Sequence, residues 1–188
     1  MYAPDGTAAL VGRAREGQGG AFEALVRRHF RAAYAVALAV LGRPADAEDV
    51  AQDAFLAAFE QLDSCRSPER FAGWLLQIVR NRALNALQSK KAAGAAFERM
   101  AGAPEAASGG ADGLALRDRL LGALERLTTS QREVVLLHDL DGWTHAEIAQ
   151  ALEISEVMSR QHLFQARKVL RAHLGEQELK EVSDGPHG

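Results

Sequence analysis

The feature that most constrains the fold is an uninterrupted apolar stripe between residues 45 and 62. Apolar side chains recur there at steps of three and four residues, which is the spacing of one face of an α-helix. The members of the stripe are Ala47, Val50, Ala51, Ala54, Phe55, Ala58, Phe59 and Leu62. A face of this width has to be buried, so it predicts a helix that packs against other helices.

The rest of the chain also shows helical spacing, and alternating β-branched runs are almost absent. Leucine and alanine, both strong helix formers, dominate the composition. Further helices are predicted from about residue 20, over 34–41, 71–88, 114–127, 131–140 and 144–152, and from 155 to about 174. Segment 89–113 is dense in Ala and Gly and contains Pro104, which predicts a flexible linker. We therefore predict an all-α chain with two small helical domains, 1–88 and 114–188, joined by the linker 89–113.

Several classes of protein are disfavoured by simple features of the sequence. The longest apolar run, over residues 32–41, is too short to cross a bilayer, so we expect no stable membrane association. No basic region followed by an apolar block begins the chain, and we expect no signal peptide. Cys65 is the only cysteine, which excludes an intramolecular disulfide and favours a cytoplasmic location.

Residues 144–170 have the pattern of a helix-turn-helix. Thr144 with Glu147 predicts a capping box, and Ser155 caps a second helix after a turn at Glu153 and Ile154. The predicted inner face of the second helix holds Met158, Leu163, Ala166, Val169 and Leu170. Its outer face holds Val157, Arg160, Gln161, Phe164, Lys168 and Arg171. Such a face suits the major groove of DNA, because Arg and Gln bind base edges bidentately, apolar groups contact thymine methyls, and further basic residues reach phosphates.

The stripe helix has an acidic opposite side. At about 100° per residue, four carboxylates fall within roughly 60° of one another. They are Asp46, Asp49, Asp53 and Glu60, and Leu56 projects beside them. A solvated face and a docking surface for a partner are both compatible with this pattern.

The helix over 71–88 has a polar outer side with an aromatic border. Gln77, Arg80, Asn81, Leu84 and Gln88 share that side, and Trp74 and Asn85 lie at its edge. Amides and an arginine beside an aromatic ring suit unpaired nucleic-acid bases. The residues alone favour a simpler interpretation, in which Trp74 anchors the core and the polar side chains face solvent.

Four segments, in this order, resemble bacterial sigma factors of the extracytoplasmic-function (ECF) group. The first is FEAL at 22–25 with ADAEDVAQDAF at 45–55, and the second is FAGWLLQIVRN at 71–81. The third is LTTSQREVV at 127–135 with GWTHAEIA at 142–149, and the fourth is SE at 155–156 with LFQAR at 163–167. The resemblance covers about 22–88 and 114–174, and it implies a transcription initiation factor, not an enzyme, without a cofactor or metal.

The resemblance also implies roles for individual residues. The acidic helix would dock on the clamp helices of the largest subunit of core RNA polymerase through Asp46, Asp49, Gln52, Asp53 and Leu56. The helix over 71–88 would hold the opened strand of the promoter −10 element through Trp74, Arg80, Asn81 and Asn85. The second helix of the helix-turn-helix would read the −35 element through Arg160, Gln161, Phe164 and Gln165. Such factors typically also have an anti-sigma factor as a partner.

Several positions depart from the family pattern. Val157 stands where relatives often have a glycine, and Met158, Ser159 and His162 stand where basic or β-branched residues are common. Glu153 stands at a turn position where relatives often have glycine; if the turn needs a positive φ, Glu153 adopts it at a cost of about 1 kcal/mol. Asn85 stands where an aspartate is usual.

Two other functions are compatible with parts of the sequence. A dimeric repressor or activator would explain the helix-turn-helix, but not the acidic helix together with the Trp74 segment. A metalloenzyme would need the residues His138, Asp139, Asp141 and His145 to bind a metal, although they straddle a helix end and a turn.

Overall fold

The computed structural model describes residues 4–97 and 111–183. These residues form helices and turns with no strand, which confirms the all-α prediction. The α-helices are α1 (Pro4–Arg15), α2 (Ala21–Leu41), α3 (Pro44–Glu60), α4 (Phe71–Phe97), α5 (Ala111–Glu125), α6 (Thr129–Val135), α7 (His145–Leu152) and α8 (Glu156–Ser183).

Helices α1 to α4 form the N-terminal half, with α2 at its centre. Gly42, at φ 69°, ends α2 by donating its backbone N–H to the Leu38 carbonyl at 2.8 Å. Pro44 then begins α3, where its fixed φ suits the first helical turn. Leu25 on α2, Ala51 on α3 and Leu75 on α4 are fully buried in the core that these helices share.

The N-terminal half differs from the sequence-based prediction in three ways. Residues 34–41 are the end of the long helix α2 and not a separate helix. Helix α1 was not predicted, and its Val11 is fully buried. Helix α4 continues beyond residue 88 to Phe97, because residues 89–97 contain no proline to stop it. The linker itself remains a prediction, since residues 98–110 lie outside the described part of the chain.

Helices α5 to α8 form the C-terminal half, which contains the predicted helix-turn-helix. Both Thr128 and Thr144 are N-caps with complete capping boxes, the second closed by Glu147 as predicted. Glu153 has φ 57° at the end of α7, so the turn does need a positive φ there, and no other non-glycine residue described has one. Ser155 caps α8 by accepting the Met158 N–H at 3.1 Å.

The segment predicted as one helix over 131–140 changes its winding partway. It is α-helical to Val135 and forms a single π-helical turn over Leu136–Leu140. A π turn contains an extra residue, which rotates the side chains that follow it. Leu140, the last residue of this turn, is exposed. Gly142, at φ 76°, then leads to the buried Trp143.

The two halves pack together. The buried core residues form one cluster that includes members from both halves, such as Phe71 on α4 and Ile148 on α7. Helix α2 contacts α6 and the π turn, and α4 contacts α7. In the described residues, no helix is long and apolar enough to span a membrane.

Candidate polymerase and promoter interfaces

Most of the acidic side of α3 faces solvent. Asp49, Gln52 and Asp53 are exposed, and Leu56 is 65% exposed, as the pattern predicted. Asp46 differs, because its carboxylate pairs with Lys90 Nζ at 2.6 Å and with Arg43 Nε at 3.6 Å. The Lys90 contact joins the first turn of α3 to α4. Asp46 therefore has less freedom than the other carboxylates to meet a partner.

An apolar recess adjoins this acidic side. Phe59 was expected in the core but is 59% exposed. It lies in the last turn of α3, where the wide stripe extends past the core, and its ring packs edge-on against Phe22 with centroids 4.9 Å apart. The recess has a volume of about 550 Å³ and is lined by Phe22, Glu23, Val26, Phe30, Gln52, Phe55, Leu56 and Phe59. Gln52 and Leu56 thus belong both to the predicted docking set and to this recess.

The predicted strand-binding residues on α4 are not equally accessible. Asn81 and Asn85 are exposed, and Trp74 is half-buried against Phe71, with ring centroids 5.7 Å apart. Arg80 is also half-buried, and its Nη2 donates to Glu133 Oε2 at 3.0 Å. Trp74 thus both contacts the core and presents an edge, so the two interpretations of this residue are compatible.

Glu133, on α6, is the partner that sequence analysis missed. Its side chain is 1% exposed. Burial raises the pKa of Glu133 to about 7, although the charges of Arg80 and Arg132 favour its ionised form. A charged residue directly before the apolar Val134 and Val135 was the available signal, because a buried glutamate normally needs a basic partner.

The outer side of α8 is open along its whole predicted set. Val157 and Phe164 are more than two-thirds exposed. The polar members Arg160, Gln161, Gln165, Lys168 and Arg171 are exposed as well. Arg160 pairs within its own helix with Glu156 at 2.7 Å, and this ion pair is weak because both side chains are about half exposed.

The inner side of α8 corrects one expectation. Met158 was expected to face inward but is partly exposed, and the neighbouring Ser159 is fully buried instead. Ser159 Oγ lies 2.9 Å from His145 Nδ1 on α7. The two helices approach closely at this point, so a small polar residue fits where a methionine would not. This contact fixes the position of α8 relative to α7.

The four residues considered as metal ligands have protein partners. His138 Nδ1 lies 2.8 Å from Asp139 Oδ1, and Arg167 Nε donates to Asp139 Oδ2 at 3.0 Å. The hydrogen bond from Arg167 is the main reason that the pKa of Asp139 is lowered. Asp141 accepts from the Trp143 indole at 2.8 Å and pairs with Arg31 at 3.2 Å. Within 4–97 and 111–183 no group of three or more His, Cys, Asp or Glu side chains is placed to hold a metal.

An apolar groove runs between the two halves of the molecule. It has a volume of about 580 Å³ and receives side chains from α2, α5, the π turn and α8. Its exposed apolar members are Leu116, Leu120 and Leu140.

The acidic side of α3 thus lies in one half of the molecule, and the outward basic side of α8 lies in the other. Residues 25–93 match the Sigma-70 region 2 family, and residues 117–170 match the Sigma-70 region 4 family. The chain belongs to the ECF group of RNA polymerase sigma factors, and it is a promoter-recognising transcription initiation factor for RNA polymerase.

Individual relatives agree with this membership. The chain is 32% identical to the RNA polymerase sigma factor CarQ of Myxococcus xanthus over 89% of its own length and 97% of CarQ. It is 31% identical to the ECF sigma factor SigM of Mycobacterium tuberculosis, covering 82% of this chain and 78% of SigM. Among solved structures, CnrH in complex with the cytosolic domain of CnrY superposes with a TM-score of 0.67 at 28% identity, covering 91% of this chain and 98% of CnrH.

Proposed function

We propose that three helices divide the work of initiation. The acidic side of α3 binds the clamp helices of the largest polymerase subunit, the outer side of α4 holds the opened −10 strand, and the outer side of α8 reads the −35 element. The observation that carries this proposal is the unobstructed outer side of α8, on which every predicted base-reading residue is exposed. Membership of the family supplies the context in which that side meets a promoter.

The α3 interface combines charge with apolar area. Asp49 and Asp53 supply negative charge that steers a basic partner, while Leu56 beside the recess supplies a surface to bury. Polar rims around an apolar centre are the usual anatomy of protein–protein interfaces. We assign Asp46 a smaller share of the affinity, because Lys90 already neutralises it.

The α4 interface acts on single-stranded DNA. Trp74 offers an aromatic ring on which a base can stack, and the exposed amides of Asn81 and Asn85 offer donors and acceptors for base edges. Arg80 supplies a positive charge for a phosphate or a base once its present carboxylate partner leaves. Binding of the opened strand at this surface favours the melted promoter over the duplex.

The decisive experiment is in vitro transcription with core polymerase and a pool of promoter fragments. We expect initiation at a subset of promoters that share −10 and −35 sequences, and no initiation from core polymerase alone. The free chain should bind duplex DNA weakly. Absence of both specific initiation and core binding would refute the proposal, and tight dimeric binding to duplex DNA without polymerase would favour a repressor or activator.

An anti-sigma factor is a further proposed partner. CnrH, whose fold this chain shares, was solved in complex with the cytosolic domain of CnrY. The apolar groove between the two halves suits an amphipathic helix, because Leu116, Leu120 and Leu140 expose apolar surface within it. A partner that binds there should block core binding, and Leu120→Asp should abolish the block; a block that survives this change would place the partner elsewhere.

A further inference from the structure

The loop between α3 and α4, residues 61–70, continues the surface that we assign to the −10 strand. Arg70, its last residue, lies four residues before Trp74, so at about 100° per residue it shares the outer side of α4 with Trp74 and Asn81. Ser64, Arg66 and Arg70 are exposed in this α3–α4 loop. Their hydroxyl and guanidinium groups can donate to phosphates and base edges. The shape of the loop backbone decides where these groups meet the strand.

A side chain from α1 holds the backbone of the α3–α4 loop. Arg15 Nη2 donates to the Leu62 carbonyl oxygen at 3.1 Å and also to the Cys65 carbonyl oxygen. One acceptor belongs to the first residue of the 3-10 turn Leu62–Ser64, and the other belongs to the residue that follows the turn. Hydrogen bonds from a charged donor are about twice as strong as neutral ones. Because both acceptors are backbone atoms, Arg15 fixes the path of the loop itself.

The ion pair between Arg15 and Asp63 contributes much less than these hydrogen bonds. Arg15 Nε lies 3.8 Å from Asp63 Oδ1, and the Asp63 side chain is 96% exposed. Ion pairs in contact with water are weak, because solvent screens them and the side chains lose freedom. The effect of Arg15 on the loop therefore comes from the two carbonyl contacts.

Helix α1 is anchored firmly enough to support Arg15. Val11, one turn before Arg15, is fully buried in the core. Thr7, a further turn away, is buried and accepts a hydrogen bond from Arg28 Nη1 on α2 at 2.9 Å. Helix α1 also contacts the second 3-10 turn of the loop, Pro68–Arg70. The guanidinium thus projects from a fixed helix onto the loop.

We infer that Arg15 is a positioning residue for −10 recognition, which holds the α3–α4 loop in the shape in which it meets the opened strand. The inference rests on the proposed assignment of α4 to that strand. Helix α1 precedes residues 25–93, so the match to Sigma-70 region 2 does not include it. A recognition surface needs its groups held within about 0.5 Å of the productive geometry. A loop without Arg15 samples other shapes and accepts other bases.

The test is in vitro transcription by core polymerase with the full-length factor, from a promoter pool with randomised −10 and −35 positions. Arg15→Gln removes both carbonyl contacts. We expect it to reduce the preference for the favoured −10 bases at least about fivefold, the lower end of what one good base contact contributes, and to leave the −35 preference unchanged. Arg13→Gln is the matched control, because Arg13 lies in the same last turn of α1 and donates to Gln18. This control should keep both wild-type preferences.

The possible results separate this inference from the proposed function. A −10 preference of Arg15→Gln equal to that of Arg13→Gln would overturn the inference. A uniform loss of transcription with intact base preference and a weaker dependence on salt would also overturn it, because that result indicates a direct phosphate contact by Arg15. Absence of any −10 preference in the wild type would instead refute the proposed function.

A second variant, Arg15→Lys, carries the test if Arg15→Gln fails to fold. Lysine keeps the charge but lacks the planar guanidinium, so it holds the two carbonyls less rigidly. We expect faster hydrogen exchange at the Ser64 and Cys65 amides and a −10 preference weaker than that of the wild type. Unchanged exchange in the loop would overturn the inference, and so would faster exchange with a wild-type −10 preference.

Discussion

Two buried ionisable side chains, His29 and Glu133, respond to pH in opposite directions. His29 lies on α2 with its ring centroid 5.4 Å from that of Phe71, and burial, with a smaller effect from Arg28, lowers its pKa from 6.5 to about 4. The fold therefore prefers the neutral imidazole. The pKa of Glu133 is instead raised to about 7, so the fold prefers its protonated form.

The direction of each pKa shift determines how the free energy of unfolding depends on pH. The unfolded chain binds a proton at His29 between pH 6.5 and 4 and the folded chain does not, so the His29 contribution is present above pH 6.5 and is lost on acidification. The Glu133 contribution is present below the ordinary glutamate pKa and is lost as the pH rises through 7.

We expect His29 to make the chain less stable in mild acid. Between pH 7.5 and pH 4.5 its protonation should lower the free energy of unfolding by about 2.5 kcal/mol. Urea unfolding of the wild type and of His29→Gln at both pH values measures this, because other groups titrate equally in the two proteins. The variant should lose less stability than the wild type on acidification; equal losses would mean that His29 is not held neutral.

The strain at Glu153 comes from its own positive φ and not from contacts with neighbouring residues. It holds φ 57° where α7 meets the turn, and glycine adopts that conformation at little cost. Glu153→Gly should therefore raise the free energy of unfolding by about 0.5–1 kcal/mol, measured by urea unfolding. Glu153→Ala is the control, since alanine keeps the strain, and equal effects of the two substitutions would contradict this explanation.

At the scale of the element, α3 and α8 both present their working residues on one side of a helix. On α3 the expected partner is basic, and Asp49 is exposed without contributing to the core. Asp49→Arg should weaken binding to core polymerase about tenfold or more, because a like charge across an interface costs several kcal/mol. Fluorescence anisotropy of labelled factor measures the affinity.

The fold of the Asp49→Arg variant should be unchanged in circular dichroism and in melting temperature. Glu16→Arg makes the same charge change at an exposed position that is distant in sequence from Asp49. This variant should bind polymerase normally. If Asp49→Arg unfolds the N-terminal half, the acidic side of α3 faces inward and the docking assignment is wrong.

Arg160 on α8 is the residue on which we expect −35 recognition to depend most. A bidentate arginine contact discriminates between bases by about 1–3 kcal/mol, so Arg160→Ala should reduce −35-dependent transcription by roughly 5- to 150-fold. On promoters with an altered −35 sequence, Arg160→Ala should reduce transcription by a smaller factor. Lys168→Ala is the comparison, because loss of a phosphate contact weakens binding to all promoters alike and lowers the salt dependence.

How well the sequence predicts a structural feature depends on whether nearby residues in the sequence or residues of another helix determine it. The capping box at Thr144 and the exposure of Leu56 are local properties, and cap chemistry and periodicity predicted them. The positive φ of Glu153 was suggested only by the glycine that relatives often have at that position. Phe59 and Met158 were misplaced because their exposure depends on where another helix ends or approaches. Periodicity gives the direction of a side chain but not the extent of the element that covers it.

At the scale of the whole molecule, the contact between the halves was not predictable from one sequence. Each of its residues has an ordinary local explanation, since Gly73 can be a flexible point in a helix, Arg80 a DNA contact and Glu133 a surface charge. Only their juxtaposition across α4, α6 and α7 gives them a common role. The membership of the family, by contrast, follows from motifs that are continuous in sequence.

The position of the two tryptophans gives the chain a built-in optical reporter. Trp74 and Trp143 are its only tryptophans, on α4 and just before α7, and Trp143 is 4% exposed beside a cavity of about 230 Å³ that it lines with Gly73 and Ala151. If the halves part, the Trp143 indole meets water, and its emission should shift to longer wavelength. A stopped-flow trace of unlabelled factor mixed with core polymerase would then time the opening, and Trp74→Phe would isolate the signal of Trp143.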